Sequence, residues 1–454
     1  MSVDLIVKNG TIVSSAASYR GHVLVQDGKV LGVRVRDDLP NAKKVIDAAG
    51  LHVLPGLIDP HVHFRVPGLE YKEDFDTGSQ AAAAGGITTI IDMPNVVPPT
   101  ADVEGFHAKV ACADGKSYVD YGIYAVIVEG NSGQIQPLAD AGVVGYKIFL
   151  GETVGNIPAP QDGEIIDAWR IMAGTGLRCG VHAEDNGILL YLRKKLQDQG
   201  RKDPLAHLES RPAVAEAEAI SRAILFAREA KSKLMIYHMS AAEGVALVRQ
   251  GKDSGVDVVG ETGPHYLIME GDDMVRMQLG SLLKMNPPVR SREHAEALWR
   301  GLLDGTIEVI GTDHSPHTRE EKMFDNPMGD IWKAIPGWPG VETNVPLMLT
   351  QVNAGRMNLQ QYVKVQAEGP ARAWNLWPRK GNLEHGADAD ITIVDMQKEG
   401  AIDQDKLHSK SKVTPFHGFR VKGMPVYTIV RGRVVMENGE VVGKPAGRLQ
   451  KPIV

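Results

Sequence analysis

Residues 56–64 read GLIDPHVHF, an apolar run that ends with two histidines one position apart. Seven similar runs follow it: TTIIDMPN (88–95), VDYGIYAVI (119–127), VVGYKIFL (143–150), RCGVHAED (178–185), KLMIYHMS (233–240), VDVVGETG (256–263) and EVIGTDHS (308–315). Stretches with the apolar spacing of amphipathic helices, such as PAVAEAEAISRAILFAREA (212–230), separate these runs. Eight strand–helix units predict an α/β fold, the (β/α)₈ or TIM barrel. An open doubly wound sheet is the alternative, but no GxGxxG turn follows the early strands.

The two ends of the sequence share a different pattern, short runs in which apolar and polar residues alternate. These runs are DLIVKNGTIV (4–13) and HVLVQDGKVLGV (22–33) near the start, and ADITIVD (389–395) and VYTIVRGRVVMENGEVV (426–442) near the close. Asp27-Gly28 and Asn438-Gly439 are typical of hairpin turns between strands. We therefore expect a small β-sandwich domain built from residues 1–54 and 384–454, with the barrel occupying residues 55–383.

Composition excludes several classes of protein. The 454 residues are 43% hydrophobic and 23% charged, with a net charge of -6 and no basic stripe for nucleic acid or anionic lipid. There is no run of 18 apolar residues that would predict a membrane span. The two cysteines are too few for a disulfide framework, and the first residues lack the layout of a secretory signal. A cytoplasmic protein is the expectation.

Polar residues at the ends of the predicted barrel strands are the candidates for chemistry, because strand carboxyl ends meet at one mouth of such a barrel. His61 and His63 share a strand face, since side chains repeat every two residues. Alone, such a pair is more often a strand edge or a hydrogen-bonded core pair. Together with His182, His238 and Asp313, it is hard to explain by packing, because burying so many polar groups is costly.

Four imidazoles and one carboxylate exceed the ligands of a single tetrahedral ion, which suggests two divalent metals. Two such ions carry four positive charges, so a further anion between them would improve the balance. Lys147 ends the fourth apolar run, and a neutral lysine amine can capture carbon dioxide to form a carbamate, a bridging ligand that resembles a carboxylate. Taken alone, Lys147 could equally be a solvated lysine or an ion-pair partner.

Five motifs in this order resemble the cyclic amidohydrolases, a family that includes dihydroorotases, allantoinases, hydantoinases and dihydropyrimidinases. They are DPHVHFRVPG (59–68), GYKIFLGETVG (145–155), HAED (182–185), IYHMS (236–240) and GTDHSPH (311–317), and the resemblance covers essentially the whole chain. It implies two metal ions, with zinc as the metal, and a homodimer or homotetramer. The implied ligands are His61 and His63 on one ion, His182 and His238 on the other, carboxylated Lys147 between them, and Asp313 as both ligand and catalytic proton carrier.

The resemblance also implies a reaction, the hydrolytic opening of a small cyclic amide. A hydroxide that bridges the two ions attacks the ring carbonyl, and Asp313 passes its proton to the leaving ring nitrogen. The alternative that is not an enzyme is a catalytically inactive assembly protein of the same fold. Such a protein would be expected to lose ligands, whereas this sequence retains all six.

The choice of substrate depends on Arg65, which continues the two-residue spacing of the histidines. If the strand stays extended, its guanidinium lies near the metals and can pair with a substrate carboxylate. Dihydroorotases resemble this sequence at Arg65, Asn95 and His317, which grip the substrate carboxylate in that family, and at the loop residue Thr153. Dihydroorotase, which interconverts dihydroorotate and N-carbamoyl-aspartate, is therefore the first expectation. Alternatively, Arg65 only forms an ion pair and Asn95 only lies in a turn.

Other stretches of the sequence favour a substrate with a five-membered ring. DIWKAIPGWPGVET (330–343) and ETGPHYL (261–267) look more like L-hydantoinases and allantoinases, and Val66 replaces the glutamate common in dihydroorotases. An allantoinase or hydantoinase that acts on a cyclic ureide is thus the alternative. Asn286 in KMNPPVR (284–290) is expected to contact the ring amide, unless that stretch is only a turn.

Overall fold

The computed structural model describes residues 2–152, 154–155 and 157–454. The strands are β1 (Val3–Val13), β2 (Ser18–Gln26), β3 (Lys29–Arg34), β4 (Ala42–Asp47), β5 (His52–Pro55), β6 (Leu57–Val62), β7 (Ile87–Asp92), β8 (Asp120–Val126), β9 (Gly145–Phe149), β10 (Arg178–His182), β11 (Lys233–Ile236), β12 (Val258–Thr262), β13 (Ile307–Ile310), β14 (Ile391–Ala401), β15 (Arg420–Val430), β16 (Arg433–Glu437) and β17 (Glu440–Val441). The α-helices are α1 (Phe75–Ala84), α2 (Val103–Ala113), α3 (Ile135–Ala141), α4 (Asp162–Thr175), α5 (Asn186–Asp198), α6 (Pro204–Ser210), α7 (Ala213–Ala230), α8 (Ala242–Asp253), α9 (Pro264–Ile268), α10 (Asp273–Arg276), α11 (Arg292–Asp304), α12 (Val341–Asn353), α13 (Leu359–Val363) and α14 (Gly369–Ala373). Short helical turns lie at Ser132–Gln134, Gly280–Leu283, Ile331–Lys333, Lys364–Glu368 and Gln404–Lys406.

The eight strands β6 to β13 form a parallel barrel in which each strand pairs with the next along the chain. Residues directly after the last strand close it, because Val62 pairs with His314 in parallel. The amide of His63 donates to the carbonyl of His314 at 2.8 Å, and the amide of His314 donates to the carbonyl of His61 at 3.2 Å. Each of the eight apolar runs supplies one of these strands, so the predicted barrel is confirmed.

The sequence of the barrel explains the burial of its strands and the packing and ends of its helices. Strands β7 and β8 are buried along their whole length. This is expected for barrel strands, whose outer face is covered by helices and whose inner face is covered by side chains of the other strands. Helix α7 follows the predicted amphipathic stretch and buries the face that carries Ala219, Ile220 and Ala223. Helices α4 and α11 end at Gly176 and Gly305, whose positive φ angles suit a left-handed helix end.

Both ends of the chain contribute to a second sheet, as predicted. It is a single nine-stranded mixed sheet in which β5 and β14 pair antiparallel, with Val53 opposite Ile393. Asp27-Gly28 and Asn438-Gly439 form the predicted hairpin turns with positive φ angles. The domain boundaries at 54/55 and 383/384 remain predictions.

The arrangement of the two sheets leaves one end of the barrel for chemistry. The carboxyl ends of its strands carry the polar residues, and the buried apolar side chains of the barrel lie between strands and helices. The terminal sheet has a separate apolar cluster that includes Leu5, Val23 and Ile391. Among the described residues, no helix is both long and apolar enough to cross a membrane.

Candidate active site

A narrow cavity lies at the carboxyl end of the barrel strands, with about 360 Å³ of empty space when the adjoining open solvent is included. All six predicted metal ligands line it, although they come from five separate strand ends. The lining consists of His61, His63, Asn95, Lys147, Phe149, Val154, His182, His238, Met285, Asn286, Asp313, Ser315 and Pro336. The structure thus brings the predicted ligands together, while their role as ligands remains a prediction.

His61, His63 and Asp313 form the tightest part of this cluster. Their ligand atoms lie within 4.8 Å of one another, and all three side chains are buried. Nε2 of His61 is 3.3 Å from Oδ1 of Asp313, and Nε2 of His63 is 2.9 Å from the same oxygen. Three potential ligand atoms therefore converge on one point.

The outer contacts of the two imidazoles determine which nitrogen carries the proton. Nδ1 of His61 donates to Oε1 of Glu261 at 2.7 Å. Nδ1 of His63 donates to Oδ1 of Asn95 at 2.7 Å, because the Asn95 amide nitrogen itself donates to the carbonyl of Val154. With both protons on Nδ1, the two Nε2 lone pairs face the carboxylate of Asp313, an arrangement suited to a cation between them.

His182 and His238 form the second half of the cluster. Nε2 of His182 donates to Oε2 of Glu184 at 2.9 Å, which leaves the Nδ1 lone pair directed at Nε2 of His238, 3.0 Å away. Burial is the largest influence on Glu184 and alone would raise its pKa, but Arg211, His182 and Arg290 together outweigh burial and lower the pKa. The carboxylate therefore stays ionised and holds His182 in one tautomer.

Burial lowers the pKa of each of the four histidines and is the largest influence on all of them. The imidazoles are therefore neutral near pH 7, which is the form that binds metal ions. Neutral imidazoles and one carboxylate are the donors that zinc and similar divalent ions prefer. The donor set thus fits a divalent metal centre, with His61, His63 and Asp313 around one position and His182 and His238 around the other.

Lys147 lies in the same cavity, above the ring of Tyr237, with Nζ 3.9 Å from the ring centroid. Among the described residues, no carboxylate lies within ion-pair distance of it, and burial lowers the pKa of Lys147 to about 7. A substantial fraction of the amine is thus unprotonated near neutral pH. Gly180 makes room for the tyrosine, because a Cβ atom there would lie 1.8 Å from the Tyr237 ring.

The expectation that Arg65 projects toward the metals depended on an extended strand, a condition that the structure does not meet, and the role of Arg65 as a substrate contact remains a prediction. Strand β6 ends at Val62, and Arg65 has a φ angle of 65°, so the two-residue alternation stops before it. The guanidinium donates to Oγ of Ser315 at 2.5 Å and lies 3.1 Å from Nε2 of His317. Neither Arg65 nor His317 lines the cavity, although Ser315 does.

The other predicted substrate contacts have different outcomes. Asn95 lines the cavity, but its side chain is engaged by His63 and by the carbonyl of Val154. Asn286 also lines the cavity, and its buried Oδ1 has no hydrogen-bond partner among the described residues, as expected for an atom that meets a ligand. Thr153 lies outside the described residues.

The carboxylates that hold the histidines were not predicted from the sequence. Glu184 and Glu261 are both fully buried at strand ends. Glu184 lies in the motif HAED, and Glu261 lies in the motif GETG. The neighbouring His314 has a structural role, since its Nδ1 accepts hydrogen bonds from the amides of Gly340 and Val341. A carboxylate at a strand end beside a candidate ligand is the signal that could have identified the two glutamates.

A second cavity of about 1090 Å³ continues outward from the first and shares Val154, Asn286 and Pro336 with it. Its wall carries both charged and apolar side chains, among them Glu152, Leu189, Arg193, Arg211, Lys284 and Trp332. A substituent on a small ring held in the inner cavity would enter this outer cavity.

Comparison with known proteins gives a consistent result. The profile of the amidohydrolase family matches residues 52–435. An L-hydantoinase of Paenarthrobacter aurescens is 40% identical over 442 residues, covering 97% of this chain and 96% of the relative. An allantoinase of Rubrobacter xylanophilus is 39% identical, covering 99% and 98%. A dihydroorotase of Methanothermobacter thermautotrophicus is 38% identical, covering 92% and 91%.

A solved structure shows the same architecture. The L-hydantoinase (dihydropyrimidinase) from Arthrobacter aurescens superimposes with a TM-score of 0.95 at 39% sequence identity, covering 99% of this chain and 100% of that one. The likeness therefore includes the terminal sheet as well as the barrel.

Proposed function

The chain is a member of the amidohydrolase family, a hydrolase of cyclic amides, and we propose that it opens five-membered cyclic ureides of the hydantoin type. The product is an N-carbamoyl amino acid, formed when water adds across the ring amide bond and the ring nitrogen leaves with a proton. The proposal includes two zinc ions and a carboxylated Lys147 between them. A cytoplasmic homo-oligomer, the expectation from the sequence, is part of the same proposal.

One observation carries the proposal: four buried, neutral imidazoles and the carboxylate of Asp313 line one small cavity at the barrel mouth. When bound, divalent ions there supply a polarised carbonyl and a water whose pKa is lowered toward neutrality. In this proposal Asp313 would accept a proton from the attacking water and return it to the leaving ring nitrogen. Asn286 offers its unpartnered Oδ1 to a ring N–H.

The environment of Arg65 supports a neutral ring over one that carries a carboxylate. Its guanidinium is already engaged by Ser315 and His317 and does not line the cavity. Hydantoin and allantoin both contain the five-membered ureide ring and have no ring carboxylate. The names of the L-hydantoinase and allantoinase relatives agree with this choice.

Dihydroorotate, the substrate first expected from the sequence, is the second candidate. One specific observation favours it: Nη1 of Arg65 is buried and has no hydrogen-bond partner among the described residues. A dihydroorotase is also among the relatives. A carboxylate that reached Nη1 would satisfy it, with a gain typical of a charge-assisted hydrogen bond.

A hydrolysis panel decides between the two candidates. The purified protein, loaded with zinc and bicarbonate, is assayed on hydantoin, 5-substituted hydantoins, allantoin, dihydrouracil and dihydroorotate, with the carbamoyl product as the readout. We expect the highest kcat/KM on a hydantoin-ring substrate. A preference for dihydroorotate would refute the proposal, and absence of hydrolysis in a metal-loaded protein would favour the inactive assembly protein.

A pair of variants tests the role of Arg65 directly. Arg65→Met should reduce kcat/KM on hydantoin and dihydroorotate by a similar factor, since the side chain supports Ser315 and His317. Lys72→Met is the matched control, because Lys72 is a buried cation 3.3 Å from Nδ1 of His317 that does not contact Ser315. A loss confined to dihydroorotate in Arg65→Met alone would support the second candidate.

A further inference from the structure

Arg211, a buried residue between α6 and α7, connects the candidate metal centre to the wall of the cavity. Its Nη1 donates to the carboxylate of Glu184, and its Nη2 donates to the carbonyl oxygen of Glu152 at 2.9 Å. Glu184 in turn accepts the proton of His182 Nε2. A continuous series of hydrogen bonds therefore runs from His182 to the backbone of Glu152, a residue that lines the outer cavity.

The backbone of Arg211 is fixed by a second buried ion pair. Its carbonyl oxygen accepts from Nη1 of Arg290 at 2.9 Å, and Nη2 of Arg290 lies 3.0 Å from Oε2 of Glu216. Glu216 also accepts from the amide of Ser240 at 2.8 Å and from the Ser240 hydroxyl. Ser240 follows His238 by two residues, so one network holds the chain segments that carry both histidines of the second position.

We propose that Arg211 is a positioning residue for the metal centre: through Glu184 it orients His182, and through the Glu152 carbonyl it fixes the adjoining cavity wall. This inference rests on the metal chemistry of the proposed function. The physical reason is that a carboxylate buried without its guanidinium partner loses its orientation, and the imidazole that it holds then samples other directions. Partners of ligating imidazoles commonly contribute about 10- to 100-fold to metal affinity.

The competing explanation is that Arg211 is only a cation that faces the substrate. Arg193 separates the two explanations, because it lines the same outer cavity and pairs with the carboxylate of Glu152 at 2.5 Å. Arg193 does not contact Glu184. Removing it therefore takes away a positive charge from the same cavity and leaves the support of His182 intact.

The test compares Arg211→Met, Arg193→Met and Glu184→Gln in the full-length zinc-loaded protein. Zinc affinity is measured by dialysis against graded chelator with elemental analysis, and kcat and KM are measured on a 5-substituted hydantoin during zinc titration. We expect Arg211→Met and Glu184→Gln to bind one of the two zinc ions about 10- to 100-fold more weakly, with kcat recovering at excess zinc. Arg193→Met should keep wild-type zinc affinity and change only KM.

Wild-type zinc affinity in Arg211→Met, with a change in KM alone, would overturn the inference. If that variant does not fold, Glu184→Gln decides the question, since it preserves side-chain shape. A wild-type protein that cleaves no hydantoin, while the affinity differences persist, would refute the proposed substrate and leave the role of Arg211 standing. A wild-type protein that binds no divalent metal would refute both.

Discussion

The barrel holds two buried clusters of potential metal ligands, one at each end. At the mouth, His61, His63 and Asp313 converge, and at the start of β8 the carboxylates of Asp120, Asp388 and Asp390 do the same. The second cluster already contains a cation. Nζ of Lys380 lies 2.9 Å from Asp388 and 2.6 Å from Asp390, and it also pairs with Asp120.

The two lysines show how the clusters differ. Burial alone would lower the pKa of Lys380, but the three carboxylates outweigh burial and raise it. Lys147 has no such partners among the described residues, and burial lowers its pKa to about 7. The cluster near β8 therefore contains its own cations, since Arg431 also pairs with Asp120 and Lys29 with Asp388, and it joins the barrel to the terminal sheet. The cluster at the mouth contains no such cation partner among the described residues, and its histidines and Asp313 could hold a metal ion.

The largest effect is expected from Lys147→Ala, which should abolish turnover because the bridging anion is lost. The fold should be retained, since the lysine pairs with no carboxylate among the described residues. Turnover is measured with zinc present, and partial rescue by short carboxylic acids is expected. Undiminished turnover would exclude a carbamate at Lys147. Lys147 would then resemble Lys380, a buried lysine without a role in turnover.

Asp313→Asn should lower kcat by about 10²- to 10⁴-fold, the usual contribution of a proton carrier, while zinc is still bound. Asp120→Asn makes the same chemical change in the other cluster and is the matched control. It should reduce the free energy of unfolding and leave turnover per folded molecule unchanged. Full activity in Asp313→Asn would remove it as the proton carrier.

Lys380→Met should cost about 3–5 kcal/mol in the free energy of unfolding, because it leaves the buried carboxylate of Asp390 without its cation and removes one of two cations from Asp120 and Asp388. Urea unfolding measures the loss, and elemental analysis should find the zinc content of the folded protein unchanged. A stable variant that lost zinc instead would identify the cluster near β8 as a metal site.

The smallest effect concerns pH. The recovery rate of metal-free protein in zinc and constant dissolved carbon dioxide should rise about tenfold per unit below pH 7 and level off above it. The sign follows because only the unprotonated amine of Lys147 takes up carbon dioxide, and its pKa is about 7. Lys147→Ala rescued by a carboxylic acid is the control, since it lacks the amine. The same pH profile in that control would assign the dependence to other groups.

Local patterns predicted most of the fold. Each barrel strand coincides with an apolar run that ends in polar residues, and the Asp-Gly and Asn-Gly pairs form hairpins where expected. These signals depend only on neighbours in the sequence. The six residues around the cavity were predictable for the same reason, because strand ends of a parallel barrel always meet at one mouth.

The contacts that orient these residues could not be predicted in this way. The hydrogen bond between His61 and Glu261 joins residues that are 200 positions apart in the sequence. The contact between Glu184 and Arg211 joins residues 27 positions apart. No spacing rule predicts either pair. The position of Arg65 depends on a single left-handed backbone angle, which the alternation of side chains does not reveal. Positions inferred from spacing agree with the structure within strand β6 and do not hold for Arg65, where the backbone turns.

The pairing of β5 with β14 also constrains how the protein is made. Val53 and Ile393 face each other across the sheet but are about 340 residues apart in the chain. During synthesis, the ribosome releases the first five strands, which pair with one another, long before β14 emerges, and the edge of β5 is unpaired meanwhile. Completion of the terminal sheet is therefore a late event of biogenesis, and its early strands are where chaperone protection matters most.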